Sequence, residues 1–292
     1  MDDYMRVYDL TAPLCLEGDE IKIPKPKSAE ISLELIGHDL LLSGTKLFKY
    51  LSNSIRFELH LGTHMDLPST FAYQTVDPTN MPIDFFIREA LIIHAERDYS
   101  KKSLTLDEVR NKINLGEFAE LSRERRPALL FKTGMSKYWC RDNQKYMSFP
   151  GLSKSLIEFI AYELEPPFIG IDAISIDRTI EHRSLSLYTN IDEEFINILR
   201  MQEYTALLGH DILLRKNIYI LENLDMNDIP QDVNRGLLIA LPLFRFTSLT
   251  EKKTLITALP CRVIFLPEPE GSIEEVIKKL RALEKELSEI VK

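Results

Sequence analysis

The sequence predicts an α/β fold around a mixed sheet, on three observations. Apolar runs of buried-strand length stand at residues 90–95, 128–134 and 168–172. Between the last two, Ser153 precedes Leu156, Ile157, Ile160 and Ala161 at helical spacing, and Pro166 and Pro167 stop the pattern. Strand, helix, strand in this order is a crossover unit, which implies a partly parallel sheet. Residues 56–68 alternate strictly, with Phe57, Leu59, Leu61, Met65 and Leu67 set against Arg56, Glu58, His60, Gly62, His64 and Asp66. That period of two marks a strand with one face in the core.

Taken in order, residues 7–11 form a short strand ending near Pro13. Residues 16–45 read as a loop containing Pro24 and Pro26, followed by extended segments. Residues 46–67 carry the alternating strand, which stops at Pro68, a residue that supplies no ladder donor. Residues 68–82 are a loop rich in Pro, Thr and Asn. His94 interrupts its apolar run singly and reads as a structural or surface residue. Thr105 caps a short helix over 104–113. The strand at 128–134 runs into a glycine turn at Gly134, and Trp139 follows in a polar loop ending at Phe149-Pro150-Gly151. Residues 192–215 are helical in pattern, with His210 near the end. Residues 217–223 form a strand carrying Glu222 at its carboxyl end, and 237–246 and 261–266 give two more. The tail, 272–292, is an amphipathic helix with Val276, Ile277, Leu280, Leu283 and Leu287 on one face, read as a packing or oligomer contact.

Composition narrows the function. Of 292 residues, 45% are hydrophobic and 28% charged, a globular balance, and the net charge of -9 argues against nucleic acid as a partner. No apolar run approaches the roughly 20 residues of a membrane span. The first residues lack a basic region followed by an apolar core, so no signal peptide is expected. Cys15, Cys140 and Cys261 are odd in number and far apart. That predicts a cytoplasmic protein with neither a disulfide frame nor a thiolate metal site. Any metal must then be held by His, Asp and Glu.

The alternation puts His60, His64 and Asp66 on one strand face, with Gly62 between the imidazoles. Same-face positions lie about 6.5 to 7 Å apart along a strand, so His64 and Asp66 can reach one ion, with His60 leaning in. Alternation alone leaves two readings open: a metal site, or a polar face turned to solvent.

The stretch His60-Leu61-Gly62-Thr63-His64-Met65-Asp66-Leu67-Pro68 resembles the H-x-G-T-H-x-D-x-P-x-H signature of the cyclase family. That family includes bacterial kynurenine formamidases and isatin hydrolases. Thr133-Gly134, Phe149-Pro150-Gly151-Leu152-Ser153 and Gly170-Ile171-Asp172 with Ser175 and Asp177 resemble its further blocks, in its order. So do His210-Asp211-Ile212-Leu213-Leu214, Ile220-Leu221-Glu222-Asn223-Leu224 and Pro260-Cys261-Arg262-Val263.

The resemblance implies one domain over 1–292, of the swivelling β/β/α type, with the terminal helix as an appendage and a homodimer or larger assembly. It places metal ligands on His60, His64, Asp66, His210 and Glu222, a donor set suited to one or two zinc ions or to manganese. It implies a small-molecule substrate, with arylformamidase-like hydrolysis of an N-formylkynurenine-type amide, as in tryptophan catabolism. One position departs: the signature's last histidine, an acid–base group in the family, is Thr70 here. A hydroxyl does not exchange protons near pH 7 as imidazole does. His182, in a long 178–209 segment, is the candidate substitute, and Phe71, Tyr73 and Trp139 are candidate pocket aromatics. The same departure suits a natural-product cyclase or dehydratase using the metal as a Lewis acid, or a metal-binding homologue without turnover.

Overall fold

The computed structural model describes residues 6–18, 20–25, 29–42, 46–71, 81–99, 102–177, 207–246 and 256–267. The side chain of Phe71, Tyr73, His182 with most of the 178–209 segment, and the helix expected over 272–292 lie outside what is described.

The chain opens with β1 (Tyr8–Asp9) and a small pair, β2 (Leu16–Glu17) and β3 (Glu20–Ile21). A long hairpin follows, β4 (Ile31–Leu42) against β5 (Lys46–Phe57), then the three-residue β6 (His64–Asp66). The central strands are β7 (Ile87–His94), β8 (Ala128–Lys132), β9 (Phe168–Ile171) and β10 (Tyr219–Glu222), and β11 (Arg235–Pro242) and β12 (Ala258–Pro267) complete the set. Strands β7 to β10 are mutually parallel, and among them β8 and β9 are the pair that the strand–helix–strand order required. The sheet runs β1-β12-β11-β7-β8-β9-β10-β6, and β6 pairs again with β12, which closes it into a ring.

The central strands are apolar without alternation because each of their faces meets a core. Ala90, Ile92, Ala128, Leu130, Phe168 and Leu221 turn into the closed sheet with Met65, Leu67, Val263 and Phe265. Ile93, Leu129, Phe131, Ile169, Ile171 and Ile220 turn outward, against the helices. Gly170 sits on the inner face, where an added Cβ would stand 2.6 Å from Leu130 Cδ2. The helices are α1 (Leu106–Val109), α2 (Leu115–Glu120), α3 (Asn143–Tyr146), α4 (Lys154–Phe159) and α5 (Leu208–Arg215). Two caps lie where the sequence put them. Thr105 and Glu108 form a capping box on α1, and Ser153 Oγ accepts from Leu156 N at 3.3 Å on α4. The predicted apolar face, Leu156 and Ile157 on α4 with Ile160 and Ala161 in the π-helical turn Ile160–Leu164 that continues it, is fully buried.

Three expectations are corrected. The strand expected over 46–67 is broken: pairing ends at Phe57, Leu61 N donates to Glu58 O at 3.0 Å, and Gly62 takes a left-handed φ of 66°. The glycine admits a reversal that a β-carbon would resist, and Leu61, Gly62 and Thr63 are all buried in the turn. The helix expected through 192–215 cannot pass Leu207, whose φ is 62°, so α5 starts at Leu208 and His210 lies in its first turn. The cysteines are not all free. Cys15 and Cys140 form a disulfide across 125 residues, and only Cys261, buried, is a thiol. Residues 11–15 lie along the loop that follows β8, where Trp139 Nε1 donates to Pro13 O at 2.8 Å; sequence distance hides that contact. Trp139 is 6% exposed and stacks edge-on against Tyr146, so it is a core residue. His94 closes β7 with Nε2 donating to Val233 O at 2.9 Å, a structural role. Among the described residues no helix is long and apolar enough to cross a membrane.

Candidate metal centre

Strand alternation builds the first half of the centre. Met65 faces the inner core, so His64 and Asp66 face the opposite way. In the antiparallel pairing of β6 with β10, Glu222 stands directly opposite His64, and opposed residues share a face. His60 enters from the turn before β6, its ring edge-on to that of His64 with centroids 5.2 Å apart.

His210 arrives on α5, whose start is organised by Asp177. The Asp177 carboxylate accepts from Gly209 N at 2.8 Å, His210 N at 3.1 Å and His210 Nδ1 at 2.7 Å. This carboxylate thereby caps the helix, complements its dipole and orients the imidazole together. Gly209 permits the approach, since a Cβ there would lie 2.8 Å from Asp177 Oδ1.

The five residues named from the sequence converge. His60 Nδ1 is 2.7 Å from Asp66 Oδ1, and His64 Nε2 is 3.4 Å from the same oxygen. His210 Nε2 is 3.3 Å from Asp66 Oδ2 and 3.3 Å from Glu222 Oε1, while His64 Nε2 is 3.8 Å from Glu222 Oε2. Asp66 is thus shared by two groups, His60/His64/Asp66 and Asp66/His210/Glu222, each with ligand atoms within 4.8 Å of one another. All but His60 are between 2% and 6% exposed; the His60 side chain is 39% exposed and marks the open edge.

Protonation of two rings follows from their rear partners. His64 Nδ1 is 2.9 Å from Gly62 O, which only accepts, so Nδ1 carries the proton and Nε2 is a bare lone pair. His210 Nδ1 donates to Asp177 in the same way, the arrangement that commonly orients metal-bound histidine. In the neutral rings two lone pairs therefore face two buried carboxylates, a repulsion that either a proton on each Nε2 or a bound cation relieves. His60 differs, since its Nε2 is 3.0 Å from Thr257 Oγ1, a hydroxyl that takes either role.

The titration shifts state the same demand. Burial pulls the His64 pKa down, but Asp66 and Glu222 outweigh it and the net shift is upward. Burial likewise disfavours charged His210, yet Glu222, Asp177 and Asp66 hold its pKa well above the ordinary value. Burial raises Asp66, and His64, His210 and His60 more than reverse it, holding it well below the carboxylate range. In metal-free protein the raised histidines contribute stability that is complete below about pH 6.5 and lost as pH rises through their folded values. Asp66 contributes stability present above about pH 4 and lost as pH falls through its depressed value. Urea melts of metal-stripped protein therefore show a lower midpoint at pH 8 than at pH 5.5. Metal-loaded protein shows the reverse order, because its ligands must be deprotonated.

Thr70, in the turn Pro68–Phe71, donates through Oγ1 to Thr257 O at 2.9 Å. Its hydroxyl is occupied by the backbone carbonyl of the residue whose own hydroxyl partners His60. Thr257 carries no mark in the sequence, while Thr63, Asn223 and Asp177 stand only as members of family-like blocks. Thr63 Oγ1 donates to Asn223 O at 2.6 Å, and Asn223 Nδ2 donates to Gly62 O at 3.1 Å, which ties the His60–His64 turn to the end of β10. Ile176 N donates to Glu222 Oε1 at 2.9 Å. The Thr133-Gly134 and Gly170-Ile171-Asp172 blocks also meet, around the buried Asp172 carboxylate. It accepts from Thr133 N, Thr133 Oγ1, Gly134 N and Ser136 Oγ.

A family model described as "Putative cyclase" matches residues 8–178. No curated protein matches the chain. Isatin hydrolase A from Ralstonia solanacearum is similar in structure, with TM-score 0.58 and 20% identity over 90% of this chain and 92% of its own. A "predicted metal-dependent hydrolase" from Bacillus stearothermophilus gives TM-score 0.55 and 19% identity over 90% and 98%. A "Potential Metal-Dependent Hydrolase With Cyclase Activity" gives 0.57 and 19% over 91% and 100%. At these identities the structural likeness is one of fold. With the family model matching more than half of its length, the chain belongs to the cyclase family.

Proposed function

We propose that this chain is a metal-dependent hydrolase acting on the C–N bond of an amide or formamide, with an N-formylkynurenine-type arylformamide as the model substrate. The observation that carries the reading is the convergence of His64 Nε2 and His210 Nε2 on the buried Asp66 and Glu222 carboxylates, with each ring's rear nitrogen already committed. Neutral nitrogen and carboxylate oxygen donors suit zinc or manganese, and the sharing of Asp66 between two groups supports two ions. A bound ion supplies Lewis acidity and brings the pKa of a coordinated water to about 7. His64 and His210, locked through their rear nitrogens, hold that charge in a fixed place, and half-exposed His60 leaves substrate an approach. Hydrolysis of an N-formyl arylamine yields formate and the free amine. Metal-loaded protein should turn over N-formylkynurenine, and His64→Ala should not. Absence of turnover in loaded wild type rejects this substrate class.

Thr70 favours a second reading, a cyclase or dehydratase, because its hydroxyl is committed to Thr257 O and offers no proton exchange near neutrality. Solvent oxygen-18 enters the product of a hydrolase and not that of a dehydratase. On either reading Thr70→Val leaves metal content and turnover unchanged. A roughly hundredfold loss of turnover at full metal content, the size of an acid–base contribution, would put the hydroxyl in the chemistry.

A homodimer is part of the proposal. The β4–β5 hairpin pairs Ile31, Leu33 and Leu35 with Phe57, Ile55 and Asn53 on one face, and its outer apolar residues Leu35, Leu51 and Ile55 are exposed. That face is apolar enough to be covered by a second copy. Light scattering should give twice the chain mass for wild type and the chain mass for Leu35→Lys/Leu51→Lys.

A further inference from the structure

The disulfide joins two segments that both lead to the metal centre. From Cys15 the chain runs back through Pro13 to Ala12, whose N–H donates to Thr63 Oγ1 at 2.8 Å. Thr63 precedes His64 and holds Asn223 O, next to Glu222. From Cys140 the neighbouring Trp139 donates to Pro13 O and packs its ring at 5.1 Å on Tyr146. Tyr146 OH donates to Asn223 Oδ1 at 2.9 Å, and Asn223 Nδ2 donates to Gly62 O, the carbonyl that fixes the His64 tautomer. Ala12, Thr63, Trp139, Tyr146 and Asn223 are all 6% exposed or less, while Pro13, between Ala12 and Cys15, is exposed. The two cysteines themselves are only partly buried, so a reductant reaches the bond while the links stay packed. Cys140 also sits at a φ of 57°, a left-handed conformation that a non-glycine residue keeps only when its surroundings impose it.

We propose that Cys15–Cys140 is a redox latch on metal retention: the closed bond straps residues 11–15 over the ligand turn, and its reduction loosens the strap and weakens metal binding. The inference rests on the metal-centre reading above. The reductant is a dithiol of the thioredoxin type. Its thiolate attacks one cysteine sulfur, forming a mixed disulfide and releasing the other cysteine as thiolate; its second thiol then attacks the reductant's own sulfur in that mixed disulfide and releases the first cysteine. Two electrons and two protons end on the cysteines, and the dithiol leaves oxidised. The strap acts on the orientation of His64 and Glu222, so the expected loss is that of an outer-shell partner, about 10- to 100-fold in metal affinity. Coupling is reciprocal: bound metal makes the disulfide harder to reduce by the same factor, about 30 to 60 mV.

The test uses Mn2+, a hard ion that freed thiols do not compete for. Its dissociation constant is measured on chelator-stripped full-length protein, oxidised and after phosphine reduction, and the disulfide's potential is titrated with and without Mn2+. The latch requires 10- to 100-fold weaker Mn2+ binding on reduction and a matching fall in potential with Mn2+ present. Trp139→Phe, which keeps the bond but removes the donor to Pro13, should weaken Mn2+ binding in the oxidised protein. Equal Mn2+ affinity in both redox states, with no shift in potential, overturns the latch and leaves the metal centre standing. Failure of oxidised wild type to bind Mn2+ or Zn2+ at all overturns both.

Discussion

Asp66→Asn should abolish metal binding at the candidate centre. The Asp66 carboxylate is the one group that both halves share, with Oδ1 toward His60 and His64 and Oδ2 toward His210. Asparagine keeps the volume but removes the charge and turns an N–H toward one imidazole lone pair. Metal affinity falls by more than about 100-fold, beyond the 10- to 100-fold cost of losing an outer-shell partner. Competition against a coloured chelator measures it. In metal-free protein the same change removes the anion that helps raise both buried histidines, so their pKa values fall, which histidine NMR resonances follow directly. An Asp66→Asn protein that keeps wild-type metal affinity would show that the carboxylate only packs.

Asp177→Asn separates orientation from ligation. Asp177 touches no candidate metal position, yet its two oxygens take three donors from Gly209 and His210. An asparagine can accept from His210 Nδ1 and His210 N, but its amide N–H then opposes the Gly209 N–H at the start of α5. Metal affinity drops about 10- to 100-fold. The metal-free protein loses about 1 kcal/mol of stability with the cap and the dipole complement, read from urea melts. Loss of stability with unchanged affinity would make Asp177 a cap alone.

Legibility in the sequence followed the reach of its periodicities. The apolar runs of β7, β8 and β9 identified the parallel core because each strand is covered on both faces. Ser153 and Thr105 announced their helices through local hydrogen bonds. His64 and Asp66 share a face because they lie two residues apart in β6, which alternation shows directly. The break at Glu58–Thr63 was hidden because apolar residues kept alternating through a turn; Gly62 was the one mark of it. His210 and Glu222 stand more than 140 residues beyond Asp66, and only the family resemblance joined them to it. The role of Asp177 depends on where α5 begins, and left-handed Leu207 gives no warning of that start. Disulfide pairing across 125 residues obeys no spacing rule, so three scattered cysteines concealed a bond.

The central claim is that His60, His64, Asp66, His210 and Glu222 hold a metal ion, and metal content per chain tests it most directly. Protein purified without chelator, analysed by plasma mass spectrometry, should carry at least one zinc or manganese ion per chain. Glu222→Ala, folded by circular dichroism, should carry far less. A wild type free of transition metal that also fails to take up added Zn2+ or Mn2+ would contradict the account.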